Sequence, residues 1–331
     1  MKRSRLLRAL FFIFVVQALF FIFMVRCGTM LMLFTREEPL ALLGEVEEKN
    51  LKNLFPISQL SNFSIRHHQT FLWHKGASEA KVFHSFAPTQ NPPGYRVVYK
   101  IHEKGFPTYL EAISVTPKFD QMNGTHLSLG PGEDPRAFHW NGSSYCLTWQ
   151  HKGSDWDHRM INLDTGQEFP LNHCVRGFRG KNWSPLVYKN RLHVVYVIDP
   201  ELIWFEYDLN DGCKPPPEQK IEKITGWRGG SNFVPYDRAS MITIGHQTVN
   251  GNTHHPYLIH IDMETNQTSR VELATKSPGI LDPTSLWQSK DNRFWMGGVH
   301  TSGRWSPLYF NECDHCSFNM SIYEIVLENR K

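Results

Sequence analysis

Glu133-Asp134-Pro135-Arg136 sets two carboxylates and a guanidinium within four residues. A carboxyl group can act as a general acid when burial and a neighbouring negative charge raise its pKa, and Glu133 is such a neighbour of Asp134. Arg136 pulls the other way, so the sign of the shift is open from sequence. Asp134-Pro135 also has the makings of a plain turn. Lys181-Asn182-Trp183, Arg228 and His246 offer cationic and hydrogen-bonding groups suited to a phosphate or to sugar hydroxyls. His84 and Asp282 extend the substrate-binding set. Asp199, Glu201 and Asp282 are the candidates for a second carboxylate, which an inverting hydrolase needs about 6.5–9.5 Å from its acid.

Other reactive-looking groups read more plainly. Asp155-Trp156-Asp157 has the Asp-x-Asp spacing that can share a hard cation, but it falls in a loop between strands and reads as a solvated turn. His67-His68 and His254-His255 have no carboxylate or Cys neighbour and read as surface pairs. Cys313-Asp-His-Cys316 lacks the second ligand pair of a zinc finger and reads as a disulfide or as no site at all. No metal and no cofactor is expected. Trp149, Trp156, Trp183, Trp227 and Trp305 are core residues except where they stand near the polar openings, where they can stack on sugars.

These residues lie far apart, and internal repetition supplies the frame that would gather them. Five segments open on His84-Ser-Phe-Ala-Pro, Glu133-Asp-Pro-Arg-Ala-Phe, Lys181-Asn-Trp-Ser-Pro, Arg228-Gly-Gly-Ser-Asn-Phe and Ile280-Leu-Asp-Pro-Thr, at spacings of 49, 48, 47 and 52 residues. Each is followed by a strand-like run: 95–101, 144–150, 191–198, 240–247 and 293–299. Pro93-Gly94, Asn141-Gly142 and Lys189-Asn190 supply turns before three of them. A further strand follows in each segment, and no long helical period occurs. Four short strands over 40 to 50 residues is the pattern of a propeller blade, so the expected fold is an all-β five-bladed β-propeller over residues 84–328. The innermost strand of each blade borders the channel, so the five openings should converge at one end.

On these openings the chain resembles glycoside hydrolase family 130. The resemblance rests on His84-Ser-Phe-Ala-Pro, on Glu133-Asp-Pro-Arg-Ala-Phe with its following Asn-Gly-x-x-Tyr, on Lys181-Asn-Trp-Ser-Pro-Leu with its following VVYVIDP, and on Arg228-Gly-Gly-Ser. It implies a five-bladed propeller acting on mannosides as phosphorylase, β-mannosidase or mannosyltransferase, with Asp134 as general acid. Two departures stand out. Pro200 is followed by Glu201 rather than the family's His, and no second carboxylate lies in a matching motif. Blades one and three open without the Asp and Glu of arabinanase- or invertase-like enzymes.

The N-terminus adds a location. Lys2, Arg3, Arg5 and Arg8 precede an apolar run over 9–25 that a second patch extends to 34. This reads as an uncleaved signal anchor at 9–34 with a cytosolic tail at 1–8 and a stem at 35–80. The expected setting is the Golgi or endoplasmic-reticulum membrane, single-pass, with the C-terminal domain lumenal. Six sequons, at Asn62, Asn123, Asn141, Asn182, Asn266 and Asn319, agree with a glycoprotein, although a glycan on Asn182 would block the funnel. The net charge of +3 belongs to the tail, whose four basic residues leave about −1 for the rest. That excludes a nucleic-acid binder, which needs a basic stripe. The partners expected are a glycan or glycoside and the membrane. The reading is a carbohydrate-active enzyme, with a non-catalytic glycan-binding or scaffold propeller as the alternative.

Overall fold

The computed structural model describes residues 60–329 apart from 72–78, 90–91, 104–107, 153–154, 176–179, 199–201, 215–226, 250–252, 274–279, 290 and 302–317. The tail, the anchor and the stem up to residue 59 lie outside the described residues. Among the described residues, no helix is long and apolar enough to cross a membrane.

The first strand, β1 (Leu60–Phe71), is set aside until the end of the chain. Blade one is β2 (Glu79–Thr89), β3 (Gly94–Glu103), β4 (Tyr109–Val115) and β5 (Leu127–Pro131), hydrogen-bonded in that order. Blade two repeats the plan with β6 (Glu133–Trp140), β7 (Ser143–Lys152), β8 (Asp155–Asn162) and β9 (Glu168–Pro170). Blade three follows with β10 (Ser184–Tyr188), β11 (Arg191–Val197), β12 (Ile203–Asp208) and β13 (Gly212–Lys214). In blade four the inner strand is broken into β14 (Trp227–Arg228) and β15 (Val234–Pro235), backed by β16 (Ser240–Val249), β17 (Thr253–Asp262) and β18 (Thr268–Glu272). Blade five is β19 (Ile280–Gln288), β20 (Phe294–Thr301) and β21 (Phe318–Asn329), with β1 as its outermost strand.

The strands expected from the repeats all form. Asn141-Gly142 and Lys189-Asn190 take positive φ at both positions, 49° and 78°, then 48° and 59°. Two consecutive left-handed residues match the right-handed twist of the flanking strands, which is why these dipeptides make tight hairpins. Asp155-Trp156-Asp157 is not a loop but the start of β8, and Asp157 accepts hydrogen bonds from Gln150 and Asn172.

One boundary differs. Residues 60–71, expected in the stem, pair antiparallel with β21 from Leu60↔Asn329 to Phe71↔Met320. The reason is burial. Phe63 is fully inaccessible and packs with Val234, Leu258, Leu281 and Ile325 between blades four and five. The N-terminal strand thereby closes the ring by completing the C-terminal blade.

Each blade contact has its own apolar filling. Blades one and two share Ala87, Val98, Leu110, Ala137 and Ile161, and blades three and four share Leu186, Val195, Met241 and Ile259. Aromatics fill the seam between blades five and one, where the Tyr95 and Phe119 rings stack at 4.9 Å and Phe86 meets Trp287 at 5.8 Å. Arginines span seams by capping carbonyls: the buried Arg96 donates to Leu163 O, and the exposed Arg270 to Ile198 O. Cys174 and Cys213 form a disulfide from the end of blade two to β13, while Cys146 is a buried free thiol. Cys313 and Cys316 lie outside the described residues.

Two outcomes follow. Phe63→Ala should cost about 3–5 kcal/mol in chemical denaturation, because it opens a cavity in a closed seam; an exposed stem residue would cost almost nothing. The second concerns acid. His158 stacks on Trp183 with centroids 3.7 Å apart and shares a hydrogen bond with Gly180 O. Burial lowers its pKa from 6.5 to about 4. Between those values the unfolded chain binds the proton that the folded chain refuses, so stability is full above pH 6.5 and falls as pH drops towards 4. His158→Phe keeps a stacked ring and should flatten that acid slope; an unchanged slope would refute the assignment.

Candidate active site

The openings do converge. Arg136 Nη2 donates to Asn182 Oδ1 at 3.2 Å, joining blades two and three. Ser85 Oγ donates to Thr284 O at 2.9 Å and accepts from Ala137 N at 2.7 Å, joining blades five, one and two. A Cβ on Gly229 would stand 2.2 Å from Asn182 O, so only glycine lets blade four approach blade three this closely.

The inner strands are kinked where they enter the channel. Single-residue bulges interrupt β2 between Val82 and Ser85, β6 between Glu133 and Arg136, and β19 between Pro283 and Ser285. Phe83, Asp134 and Asn182 take φ of 54°, 45° and 67°. A left-handed residue is costly for Phe, and for Asp134 it stands directly before a proline. Backbone strain at equivalent points of three blades is the mark of positions that the surroundings enforce. The bulge turns the Asp134 side chain towards its buried partners.

Asp134 is 8% exposed. Trp149 Nε1 donates to its Oδ2 at 3.3 Å, and Lys181 Nζ lies 3.6 Å from the same oxygen. Burial pushes its pKa up. Lys181, Lys100 and Arg136, with the Trp149 hydrogen bond, outweigh that and hold the carboxyl well below the usual range. The carboxylate is therefore ionised and ready to accept a hydrogen bond. This differs from the proton-donating acid that the family resemblance implies.

Glu133 does not raise Asp134. It is half-buried and faces blade one, where Lys100 Nζ donates to it at 2.6 Å and Thr108 Oγ1 also donates. The adjacent carboxylates point apart because the bulge and the left-handed backbone at Asp134 re-aim its side chain.

Arg136 is 2% exposed and feels both Asp134 and Asp282. Asp282 also feels Asp134. The two carboxylates thus share one electrostatic neighbourhood with a buried guanidinium. Asp282 accepts a short hydrogen bond from His254 Nδ1, and His246 Nδ1 lies 3.8 Å from the same oxygen. Burial pushes Asp282 up, but His246 and His254 hold it below its ordinary value. Burial pushes the His246 pKa down to about 3, so its ring is neutral. Arg228 contributes charge near His246, and its carbonyl accepts from Tyr257 Oη at 3.0 Å. His84 is buried on blade one against the Tyr99 ring at 5.6 Å.

Contacts and shared electrostatics link Asp134, Arg136, Lys181 and Asn182 to Arg228, His246 and Asp282, while His84 is tied to them through its carbonyl, which accepts from Thr284 Oγ1, and Glu133 turns away to Lys100. Asp199 and Glu201 lie outside the described residues. Trp183 is corrected: it is 5% exposed and stacked on His158, so it supports the floor and presents no face to a sugar. Trp156 is half-buried and stacks on Trp149 at 4.5 Å, extending the ring cluster that backs Asp134. His254 is corrected too, since strand pairing brings it from an assumed surface position to Asp282.

Lys100 was missed, and Trp149, read as core or a stacking platform, proves to be a hydrogen-bond donor to Asp134. They face the residue before the bulge in blades one and two, at Val82↔Lys100 and Glu133↔Trp149. No pattern of residue types marks the bulges that place them. Asn182 is buried and engaged by Arg136, whereas the sequon residues Asn123, Asn141 and Asn266 are exposed. The other channel mouth differs in kind. A cavity of about 450 Å³ there is lined by Phe138, Trp140, Phe233 and Trp287.

No family model matches this chain, so membership of glycoside hydrolase family 130 is not shown, and no curated protein matches its sequence. Solved structures do resemble it. MPT-1, a GDP-Man-dependent mannosyltransferase from Leishmania mexicana, is 11% identical over 80% of this chain and 91% of its own, with a TM-score of 0.51. A family 117 glycoside hydrolase from Zobellia galactanivorans is 11% identical over 81% of this chain and 91% of its own, at 0.50. The catalytic domain of the GH62 α-L-arabinofuranosidase of Coprinopsis cinerea is 9% identical over 81% of this chain and 98% of its own, at 0.50. At these identities the likeness speaks for the fold: a five-bladed propeller whose structural neighbours are glycoside hydrolases and a mannosyltransferase.

Proposed function

We propose that this chain is a carbohydrate-active enzyme that works on glycosidic bonds of mannosides at the polar mouth, as a glycosyltransferase or a glycosidase. One observation carries the reading. Asp134, Arg136 and Asp282, from two non-adjacent blades, share a buried electrostatic neighbourhood at the mouth where all five openings meet.

The ionised Asp134 favours transfer. An acceptor hydroxyl bound there would donate its hydrogen bond to the carboxylate. As its oxygen bonds to the anomeric carbon, the bond to the leaving oxygen breaks, and that oxygen keeps the electron pair. The hydroxyl proton passes to Asp134 late, when attack has made it acidic enough for a weak base. Lys181, Arg136 and Arg228 supply the positive charge that a phosphate-bearing leaving group needs. The likeness to a GDP-Man-dependent mannosyltransferase supports the same direction, as does the resemblance of the blade openings to a mannoside-acting family.

A glycan-binding propeller is the second reading, favoured by the absence of a proton-donating carboxyl at Asp134. The setting proposed is a type II protein of the Golgi or endoplasmic-reticulum membrane, supported by the basic-then-apolar N-terminus and the exposed sequons.

Incubation with mannosides, inorganic phosphate and nucleotide-linked mannose, read by mass spectrometry, separates these readings. Product should form, and Asp134→Asn should slow it by roughly 10²–10⁴-fold while circular dichroism shows the variant still folded below its lowered melting temperature. Saturable glycan binding without product would leave only the binding module. Full turnover by the variant would refute the role of Asp134.

A further inference from the structure

Among the described residues, His246, His254 and Asp282 form a group that neither the family resemblance nor the sugar chemistry requires. His246 lies on β16, opposite Pro256, and His254 lies on β17, opposite Thr248. The two histidines are therefore diagonal neighbours on the same face of an antiparallel pair. Their rings stack at 4.6 Å with 21° between the planes. Asp282 enters from β19 of the next blade. Its Oδ1 receives His254 Nδ1 and lies 3.8 Å from His246 Nδ1. One ligand atom from each residue falls within 4.8 Å of the other two.

The His246 side chain is 3% exposed, and its Nδ1 has no hydrogen-bond partner. A buried nitrogen aimed at a carboxylate yet bonded to nothing asks for a ligand. Around a tetrahedral ion with bonds of about 2.0–2.2 Å, donor atoms stand about 3.3–3.6 Å apart. The His246–Asp282 separation needs to close by only a few tenths of an ångström. His254 needs to give up one hydrogen bond.

We propose that His246, His254 and Asp282 bind one divalent first-row metal ion of the zinc class. Two imidazole nitrogens and one carboxylate oxygen suit that class. Binding through Nδ1 requires the neutral His254 ring to carry its proton on Nε2 instead: Nδ1 gives its proton to solvent, solvent returns one to Nε2, and no net proton is released. Three protein ligands leave a position for water or for a ligand oxygen. Arg136 and Arg228 are close enough to oppose a cation, so the site should be weaker than a structural zinc site. The site stands on its own geometry and does not rest on the sugar reading.

The test is titration of the chelator-stripped full chain with Co²⁺, which reports ligand type by its visible spectrum. One equivalent should bind, with visible bands of a nitrogen–oxygen site and no thiolate charge-transfer band. His254→Ala and His246→Gln should each weaken binding at least about tenfold. His254→Ala also removes a donor to Asp282, so circular dichroism on the variant at the titration temperature separates loss of a ligand from loss of fold. Three results would overturn the site: no saturable binding, equal affinity in the His254 variant, or a thiolate band that marks the ion at Cys313 and Cys316.

Discussion

The ladder between β1 and β21 is the constraint on which the rest depends. A propeller has no central element. Its channel exists only because the last blade is held against the first. Here the last blade takes its outermost strand from the N-terminal side of the domain, so the two ends of the fold are hydrogen-bonded to each other. Closure sets β19 beside β2, where Thr284 Oγ1 reaches His84 O and Ser85 Oγ reaches Thr284 O. It also brings Asp282 into the neighbourhood of Arg136 and Asp134. An open ring would leave those charges on separate blades with no shared chemistry.

The mouth that results is a concentration of buried charge, and its partners explain why it is tolerated. Arg136 sits between two carboxylates and donates to Asn182. Asp134 is surrounded by Lys181, Lys100 and the Trp149 N–H. A desolvated charge is costly unless paired, and each of these is paired by a residue from another strand or blade. The strained backbone at Phe83, Asp134 and Asn182 has the same origin. Relaxing it would swing the openings away from the axis. The two mouths differ in lining: one holds buried charge, while the other is a cavity whose aromatic residues stand beside His139, Asn190 and Asn232.

Much of this was legible in the sequence because blades repeat. Near-equal spacings located the openings, and Asn141-Gly142 and Lys189-Asn190 marked hairpins that only left-handed residues can make. What stayed hidden depends on register. A bulge cannot be read from residue types, so the places of Lys100 and Trp149 opposite the kinks went unseen. His254 looked like a surface histidine because its carboxylate partner lies 28 residues away on another blade. Glu133 looked like a modifier of Asp134, yet the bulge turns Asp134 away while Glu133 pairs with Lys100. The start of the domain was misplaced because β1 is a single strand whose partner is nearly the whole chain away.

The central claim is that the polar mouth is where sugar binds. A crystal structure of the wild-type domain soaked with mannose tests it most directly. The sugar is expected within hydrogen-bonding distance of Asp134 and Arg136, with Asn182 or Asp282 completing the contact. A sugar seated only in the opposite mouth, against Trp140, Phe233 and Trp287, would contradict it.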